Sequence, residues 1–167
     1  MAEQVSFSDG WTEQTFSLFS SNDFEIEGST LNISSDGTVS ILWKSLPSSM
    51  WETNQASWNW AVKATVPPTD LTLKGGDDRN ISIYFLFLLQ RSIPKKPLKL
   101  TDLLRNKDAR VLMYVWGGNH NPGEILPSPY LRDDNCFSNM IVTSPRGTPS
   151  LDIYALFNIR SSDNSHI

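Results

Sequence analysis

WNWAVKATV (residues 58–66) and ISIYFLFLL (residues 81–89) are the two stretches that decide the fold. In the first, every even position from 58 to 66 is apolar, which is the pattern of a strand with one buried face. In the second, both faces are apolar, which is typical of a strand in the middle of a covered sheet rather than at its edge. The sequence therefore predicts two core strands, separated by a loop that holds Gly75-Gly76-Asp77-Asp78.

The rest of the chain consists of short strand patterns separated by turn residues. Further strands are predicted near residues 14–19, 24–27, 30–33, 39–44, 111–116, 137–142 and 151–160, with turns at Gly28-Ser29 and Ser35-Asp36-Gly37. A helical pattern is confined to a short peripheral helix near residues 101–108, with Thr101 as its N-cap. The sequence thus predicts an all-β fold, and a two-sheet antiparallel β-sandwich with jelly-roll topology is the first expectation.

Composition and charge narrow the classes of function. We expect the 167 residues to form one domain, since 39% are hydrophobic and 19% are charged. The net charge of −4, from 14 Lys and Arg and 18 Asp and Glu, argues against nucleic-acid binding, which needs a basic face. The apolar run at residues 81–89 is too short for membrane insertion, and the first residues do not form a signal peptide. Cys136 is the only cysteine, so no intrachain disulfide can form, and we interpret it as structural.

Four short motifs occur in a distinctive order: Trp58-x-Trp60, Gly76-Asp77-Asp78, Tyr114-x-Trp116 and Pro127-x-Pro129-Tyr130. In that order and spacing, the chain resembles an uncharacterised bacterial family, domain of unknown function number 3047, from about residue 28 to residue 142. The resemblance implies a carbohydrate-module-like β-sandwich and an exported protein, and it implies no particular activity. The chain departs from the family pattern because it has no export signal and only a short segment after Val142. We therefore expect a last strand to be missing at the C-terminus.

Aromatic side chains are the first candidates for a ligand site. Flat indole rings stack on the apolar C–H faces of sugars and on polycyclic ligands. Because Trp58 and Trp60 share the apolar face of their predicted strand, a role in the core is the competing interpretation. Trp11 and Trp51 lie in predicted loops, where they serve either stacking or loop anchoring. The predicted ligand-facing set is Trp58, Trp60, Asp77, Asp78, Tyr84, Tyr114, Trp116 and His120.

The adjacent carboxylates Asp77 and Asp78 allow two kinds of chemistry. With Asn80 they could supply oxygen ligands to calcium, although the spacing is not that of an EF-hand. Alternatively, one of them could act as a general acid, its pKa raised by its like-charged neighbour. The competing interpretation is a solvated turn paired with Arg79.

His120 follows a predicted strand in a loop rich in Gly and Asn. It could act as a general base beside Glu124, and a solvated turn residue is the competing interpretation. A single histidine does not form a zinc site, and Cys136 is not at ligand spacing. The chain also has no Gly-x-Ser-x-Gly, P-loop, dinucleotide or His-Glu-x-x-His motif, so the sequence favours no phosphate-transfer, nicotinamide or zinc-protease chemistry.

The leading hypothesis is a β-sandwich module that binds a small molecule or carbohydrate against these aromatic side chains, without a cofactor unless calcium binds. The alternative is a small cofactor-independent enzyme of the cyclase or isomerase type, with Asp77, Asp78 and His120 as its catalytic residues. A third hypothesis is a structural or interaction domain without a pocket. The location of the largest pocket would separate them.

Overall fold

The computed structural model describes residues 4–18, 20–51, 56–76, 78–88, 99–104, 106, 109–129 and 138–144. The described part contains eight strands, one short α-helix and one turn of 3₁₀ helix at Ser48–Met50. The strands are β1 Thr12–Thr15, β2 Asp23–Glu27, β3 Thr30–Ser34, β4 Ser40–Trp43, β5 Ile81–Phe87, β6 Arg110–Trp116, β7 Ile125–Pro127 and β8 Ser138–Ser144, and the helix α1 is Leu100–Leu104. The predicted all-β fold with little helix is confirmed.

The strands form two two-stranded sheets, β1-β4 and β2-β3, and a four-stranded sheet in the order β5-β6-β8-β7. All of these pairs are antiparallel except β6 and β8, which run parallel. The parallel pair departs from a purely antiparallel arrangement. The two-sheet sandwich and its jelly-roll topology stay predictions.

Strand β5 is apolar on both faces and is covered on both, as the sequence predicts. Ile83 and Phe85 are buried on one face, which we call the aromatic face. On the other, which we call the aliphatic face, Leu86 and Leu88 are buried and Tyr84 is half-buried. Among the strands of the described residues β5 ends the order β5-β6-β8-β7, so its place in the middle of the sheet stays a prediction.

Residues 58–66 do not form the predicted strand; they pair with no strand of the described sheets. The alternation of buried side chains nevertheless begins as expected, since Trp58, Trp60 and Val62 all pack in the cluster on the aromatic face. It fades after Val62, and Val66 is 40% exposed. The segment packs against the aromatic face of the sheet and is not a strand within it. Alternating apolar residues therefore occur both in strands and in segments that pack on a sheet.

The N-terminal hairpin is confirmed at the predicted place. Strands β2 and β3 pair in register from Asp23↔Ser34 to Glu27↔Thr30. The turn between them places Gly28 at a φ of 61°, in the left-handed region where glycine is favoured. The strand predicted at residues 14–19 overlaps β1 only at residues 14 and 15, because β1 begins at Thr12, ends at Thr15 and pairs with β4.

The predicted peripheral helix is present as α1, but its N-cap is Lys99, not Thr101. The carbonyl of Lys99 accepts the backbone N–H groups of Asp102 and Leu103, at 3.0 and 3.1 Å. Thr101 therefore lies inside the first turn. The side chain of Leu103 is buried with Leu86 on the aliphatic face, which fixes the helix to the sheet.

Strand β7 was not predicted, because Pro127 ends it and the following Pro-x-Pro-Tyr segment favours an extended loop. The strand predicted at residues 137–142 is β8. The closing strand at residues 151–160, the acidic turn at residues 133–135, Tyr130 and Cys136 lie outside the described residues. No described helix is long and apolar enough to cross a membrane.

Candidate aromatic binding site

Five aromatic side chains are joined by ring–ring contacts on the aromatic face of the four-stranded sheet, and Phe87 also packs in this group. The register Ile83↔Tyr114 and Ile81↔Trp116 aligns the end of β6 with the beginning of β5. Side chains two residues apart on a strand share a face, so β6 contributes Tyr114 and Trp116, and β5 contributes Phe85. Two further rings come from the segment at residues 58–66. We call the five rings in mutual contact the aromatic cluster: Trp58, Trp60, Phe85, Tyr114 and Trp116.

Four of the five ring contacts in this aromatic cluster are edge to face, and the contact of Trp58 with Phe85 is tilted by 48°. The ring of Trp58 lies 4.8 Å from that of Tyr114 and 6.1 Å from that of Trp60, at interplanar angles of 66° and 79°. Trp60 meets Trp116 at 5.8 Å and 73°. Edge-to-face pairs at these centroid distances are favoured by the ring quadrupoles. Each ring is therefore held in a fixed orientation by its neighbours.

Burial divides the cluster into an inner and an outer part. Trp60 is 8% exposed and Trp116 is 9% exposed, whereas Trp58 and Tyr114 are only half-buried. The core interpretation applies to the two inner indoles. The outer pair, Trp58 and Tyr114, presents aromatic surface that a ligand can reach.

The hydrogen bonds of the indole N–H groups distinguish the tryptophans. Trp11 donates to the carbonyl of Ser6 at 2.8 Å, and Trp51 donates to the carbonyl of Leu46 at 3.0 Å. These two side chains are thus bonded within their own loops, as the loop-anchoring interpretation requires. By contrast, no described residue accepts a hydrogen bond from an indole of the aromatic cluster, namely Trp58, Trp60 and Trp116.

The acidic turn before β5 is described only in part. Asp77 lies outside the described residues, and the side chain of Asp78 is exposed. The carbonyl of Asp78 accepts the hydroxyl of Thr69 at 3.2 Å, while Asn80 uses its side-chain oxygen to accept the backbone N–H of Val66 at 2.7 Å. No three His, Cys, Asp or Glu side chains of the described residues form a group that could hold a metal ion. The calcium site stays a prediction.

Arg79 connects the turn to β5. Its Nε donates to the hydroxyl of Ser82 at 2.6 Å, and its Nη2 donates to the hydroxyl of Tyr84 at 2.7 Å. Ser82 and Tyr84 alternate with Ile83, so both point to the aliphatic face. Tyr84 therefore packs with the aliphatic cluster and lies on the opposite side of the sheet from Tyr114.

His120 is held between two carboxylates. Its Nε2 lies 3.3 Å from Oδ1 of Asp70, and its Nδ1 lies 3.4 Å from Oε2 of Glu124. The backbone N–H of Leu71 also donates to Nε2, at 3.2 Å. That bond requires a neutral imidazole with its proton on Nδ1, the nitrogen that faces Glu124. A doubly protonated ring would instead donate from Nε2 to Asp70.

Both carboxylates beside His120 have lowered pKa values. The pKa of Asp70 is lowered first by the hydroxyl of Thr72, which donates to Oδ1 at 2.6 Å, and then by the backbone N–H of the same residue. The pKa of Glu124 is lowered first by the side-chain amide of Asn121, which donates to Oε1 at 2.6 Å. In both cases the proximity of His120 is a smaller cause. The pair is therefore ionised at neutral pH, and His120 sits between two negative charges.

Residues 9–148 match the family model described as Protein of unknown function (DUF3047). The chain belongs to the DUF3047 family. The resemblance drawn from the four motifs is thereby confirmed, and the match extends further toward both termini. No curated protein and no solved structure matches the chain.

This DUF3047 chain separates the predicted site residues into two places. It brings Trp58, Trp60, Tyr114 and Trp116 together on the aromatic face. His120, by contrast, bonds to Leu71, which packs with Met113 and Val115 on the aliphatic face. The sequence did not identify Asp70 as a neighbour of His120, because fifty residues separate them and no local motif signals the contact.

Proposed function

We propose that this DUF3047 domain is a β-module that binds a small molecule or carbohydrate at the aromatic cluster. The observation that carries the proposal is the outer pair, Trp58 and Tyr114, which is half-buried on a bed of buried aromatic rings. Stacking on such rings buries the apolar C–H faces of a sugar or the plane of a polycyclic ligand.

The rigidity of the outer pair supports this proposal. Trp58 touches three aromatic neighbours, with centroid distances of 4.8 Å to Tyr114, 5.8 Å to Phe85 and 6.1 Å to Trp60. A ring that is already fixed loses little conformational entropy when a ligand binds, so more of the stacking energy remains as affinity. Trp11 and Trp51, in contrast, use their indole N–H groups within their own loops.

Calorimetric titration with neutral tetrasaccharides (cellotetraose, maltotetraose and chitotetraose) tests the proposal. We expect at least one of them to bind, and Trp58→Ala to weaken that binding by about tenfold. Trp43→Ala is the matched control, because Trp43 is also a half-buried tryptophan but packs with Leu86 and Leu88 on the aliphatic face. Absence of binding by all three sugars, or equal loss in both variants, would refute the proposal for carbohydrates.

His120 gives the enzyme alternative its own support. Its imidazole lies between the carboxylates of Asp70 and Glu124, which orient the ring as the neighbours of a general base do. In this alternative His120 acts with Asp78 or Asp77, the acidic residues of the turn before β5. If catalysis occurs, its substrate lies beside His120 rather than at the aromatic cluster, and His120→Gln and Asp78→Asn abolish its turnover; in a binding module the two variants leave the saccharide affinity of the aromatic cluster unchanged.

A further inference from the structure

The buried indole N–H groups of the aromatic cluster restrict the chemical class of ligand that can bind there. Buried polar groups in folded proteins nearly always have a hydrogen-bond partner, and buried tryptophan is no exception. Trp60 and Trp116 are more than nine-tenths buried, yet no described residue accepts their N–H groups. Leaving such a donor without an acceptor is costly because the desolvated N–H is not compensated, so a partner from outside the described residues is expected.

The missing partner has to be a hydrogen-bond acceptor. An indole N–H donates and never accepts. Three such donors, from Trp58, Trp60 and Trp116, meet in one cluster, and the hydroxyl of Tyr114 adds a group that can do either. Hydroxyl, ether and carbonyl oxygens are suitable acceptors. A hydrocarbon ligand would cover the rings and leave the donors unsatisfied.

The cluster also discriminates by charge. The packed group on the aromatic face consists of aromatic and aliphatic side chains. Arg110 shares this face by alternation with Leu112 and Tyr114, but it lies at the opposite end of β6 from Trp116, and its Nη1 donates to the carbonyl of Ala109. Arg79, the cation next to β5, donates to Ser82 and Tyr84 on the aliphatic face. A quaternary ammonium ion could stack on the ring faces, but it carries no acceptor for the indole N–H groups.

We infer that the aromatic cluster binds a neutral, oxygen-rich ligand of the saccharide type, whose oxygens accept the indole N–H groups while its C–H faces stack on Trp58 and Tyr114. The inference rests on the proposed function, because it specifies the ligand class of the same site. It excludes a cationic ligand, which aromatic rings alone would favour.

The indole N–H resonances of the full chain, observed by ¹H–¹⁵N NMR, test this inference. The probes are cellotetraose as a neutral saccharide and tetramethylammonium as a cation. Formation of a hydrogen bond moves an indole proton downfield, so we expect downfield shifts for Trp60 and Trp116 with the saccharide and none with the cation. Trp11 and Trp51, which are already bonded to carbonyls, are internal controls and should not shift.

Phenylalanine variants supply an independent measurement. Trp116→Phe and Trp60→Phe keep an aromatic ring and remove only the donor, so each should weaken saccharide binding by about threefold to tenfold. Trp43→Phe should leave the affinity unchanged. If either variant unfolds, the resonances of the wild-type protein still decide the question.

The outcomes separate the inference from the function on which it rests. If tetramethylammonium binds at Trp58 while the saccharide does not, the site binds ligands but the inference is wrong. If neither probe shifts any indole of the cluster, and maltotetraose and chitotetraose do not bind either, the proposed function fails for carbohydrates as well. If the Trp60 and Trp116 protons are downfield and slow to exchange in the ligand-free protein, another part of this chain accepts them, and the inference is overturned.

Discussion

The indole of Trp58 meets the phenol ring of Tyr114 nearly edge-on, with the ring centroids 4.8 Å apart and the planes inclined by 66°. Trp58 comes from a segment that pairs with no strand of the described sheets, and Tyr114 comes from β6, so the pair joins a loop to the four-stranded sheet. Both residues are half-buried. This contact holds the two rings in place as one aromatic surface. The indole N–H of Trp58 and the hydroxyl of Tyr114 are its polar groups.

The inner and outer tryptophans should differ in their contribution to stability. Trp60 is 8% exposed, so Trp60→Ala should lower the free energy of unfolding by about 3–5 kcal/mol, because it leaves a cavity among packed rings. Trp58 is half-buried, and Trp58→Ala should cost clearly less. Urea denaturation of both variants measures the difference. Equal losses would mean that Trp58 is as much a core residue as Trp60.

Gly118 should tolerate no larger side chain. It has a φ of +78°, and a Cβ there would lie 2.6 Å from Cγ of Leu71, which is fully buried. Gly118→Ala should therefore lower the free energy of unfolding by about 1–3 kcal/mol through overpacking, in addition to the backbone strain.

Gly28→Ala is the control for that strain. Gly28 has a φ of +61°, but a Cβ there would meet no atom within 4 Å. The substitution should therefore lower the free energy of unfolding only through the left-handed backbone conformation, by about 1–2 kcal/mol. Similar losses in the two variants would show that Leu71 moves aside.

The hydroxyl of Thr72 should keep the pKa of Asp70 low. The folded protein holds this pKa below its ordinary value of 3.8, first through the Thr72 hydroxyl. The resulting stabilisation is complete above that value and is lost as the pH falls through the lowered pKa. Thr72→Val should raise the pKa of Asp70 and reduce the acid-induced loss of stability, whereas Thr72→Ser should not. Carboxyl ¹³C NMR titration measures the pKa, and an unchanged value in Thr72→Val would contradict the assignment.

His120 should protect the backbone amide of Leu71 from hydrogen exchange. Nε2 of His120 accepts that N–H at 3.2 Å, and a lost hydrogen bond of about 1–1.5 kcal/mol corresponds to roughly tenfold faster exchange. We expect this acceleration in His120→Phe. Glu124→Gln is the control, because it keeps the imidazole and changes only the group facing Nδ1. Unaltered exchange of Leu71 in His120→Phe would show that the bond does not form in solution.

Local patterns predicted the elements whose partners are near in sequence or whose burial is two-sided. The β2–β3 hairpin followed from Gly28 between two alternating runs, and β5 followed from its unbroken apolar residues. The segment at residues 58–66 was misassigned because a two-residue period indicates only that alternate side chains are buried, and does not show whether the backbone pairs with another strand.

The sequence predicted which residue types form the candidate site, but it did not predict which of those residues lie together. The aromatic residues were identified because few other side chains stack on a ligand, and the structure brings four of them together. The placement of Tyr84 and of His120 with Asp70 depends on contacts between distant segments, such as the bond from the Asn119 N–H to the carbonyl of Thr69. No property of the isolated residues reveals those contacts.

Intermolecular nuclear Overhauser effects between cellotetraose and the side chains of the protein test the central claim most directly. If the aromatic cluster is the binding site, the sugar C–H protons should show cross-peaks to the ring protons of Trp58 and Tyr114, and none to those of Trp43 on the opposite face. Cross-peaks to Trp43 or Tyr84, with none to Trp58 and Tyr114, would contradict the claim.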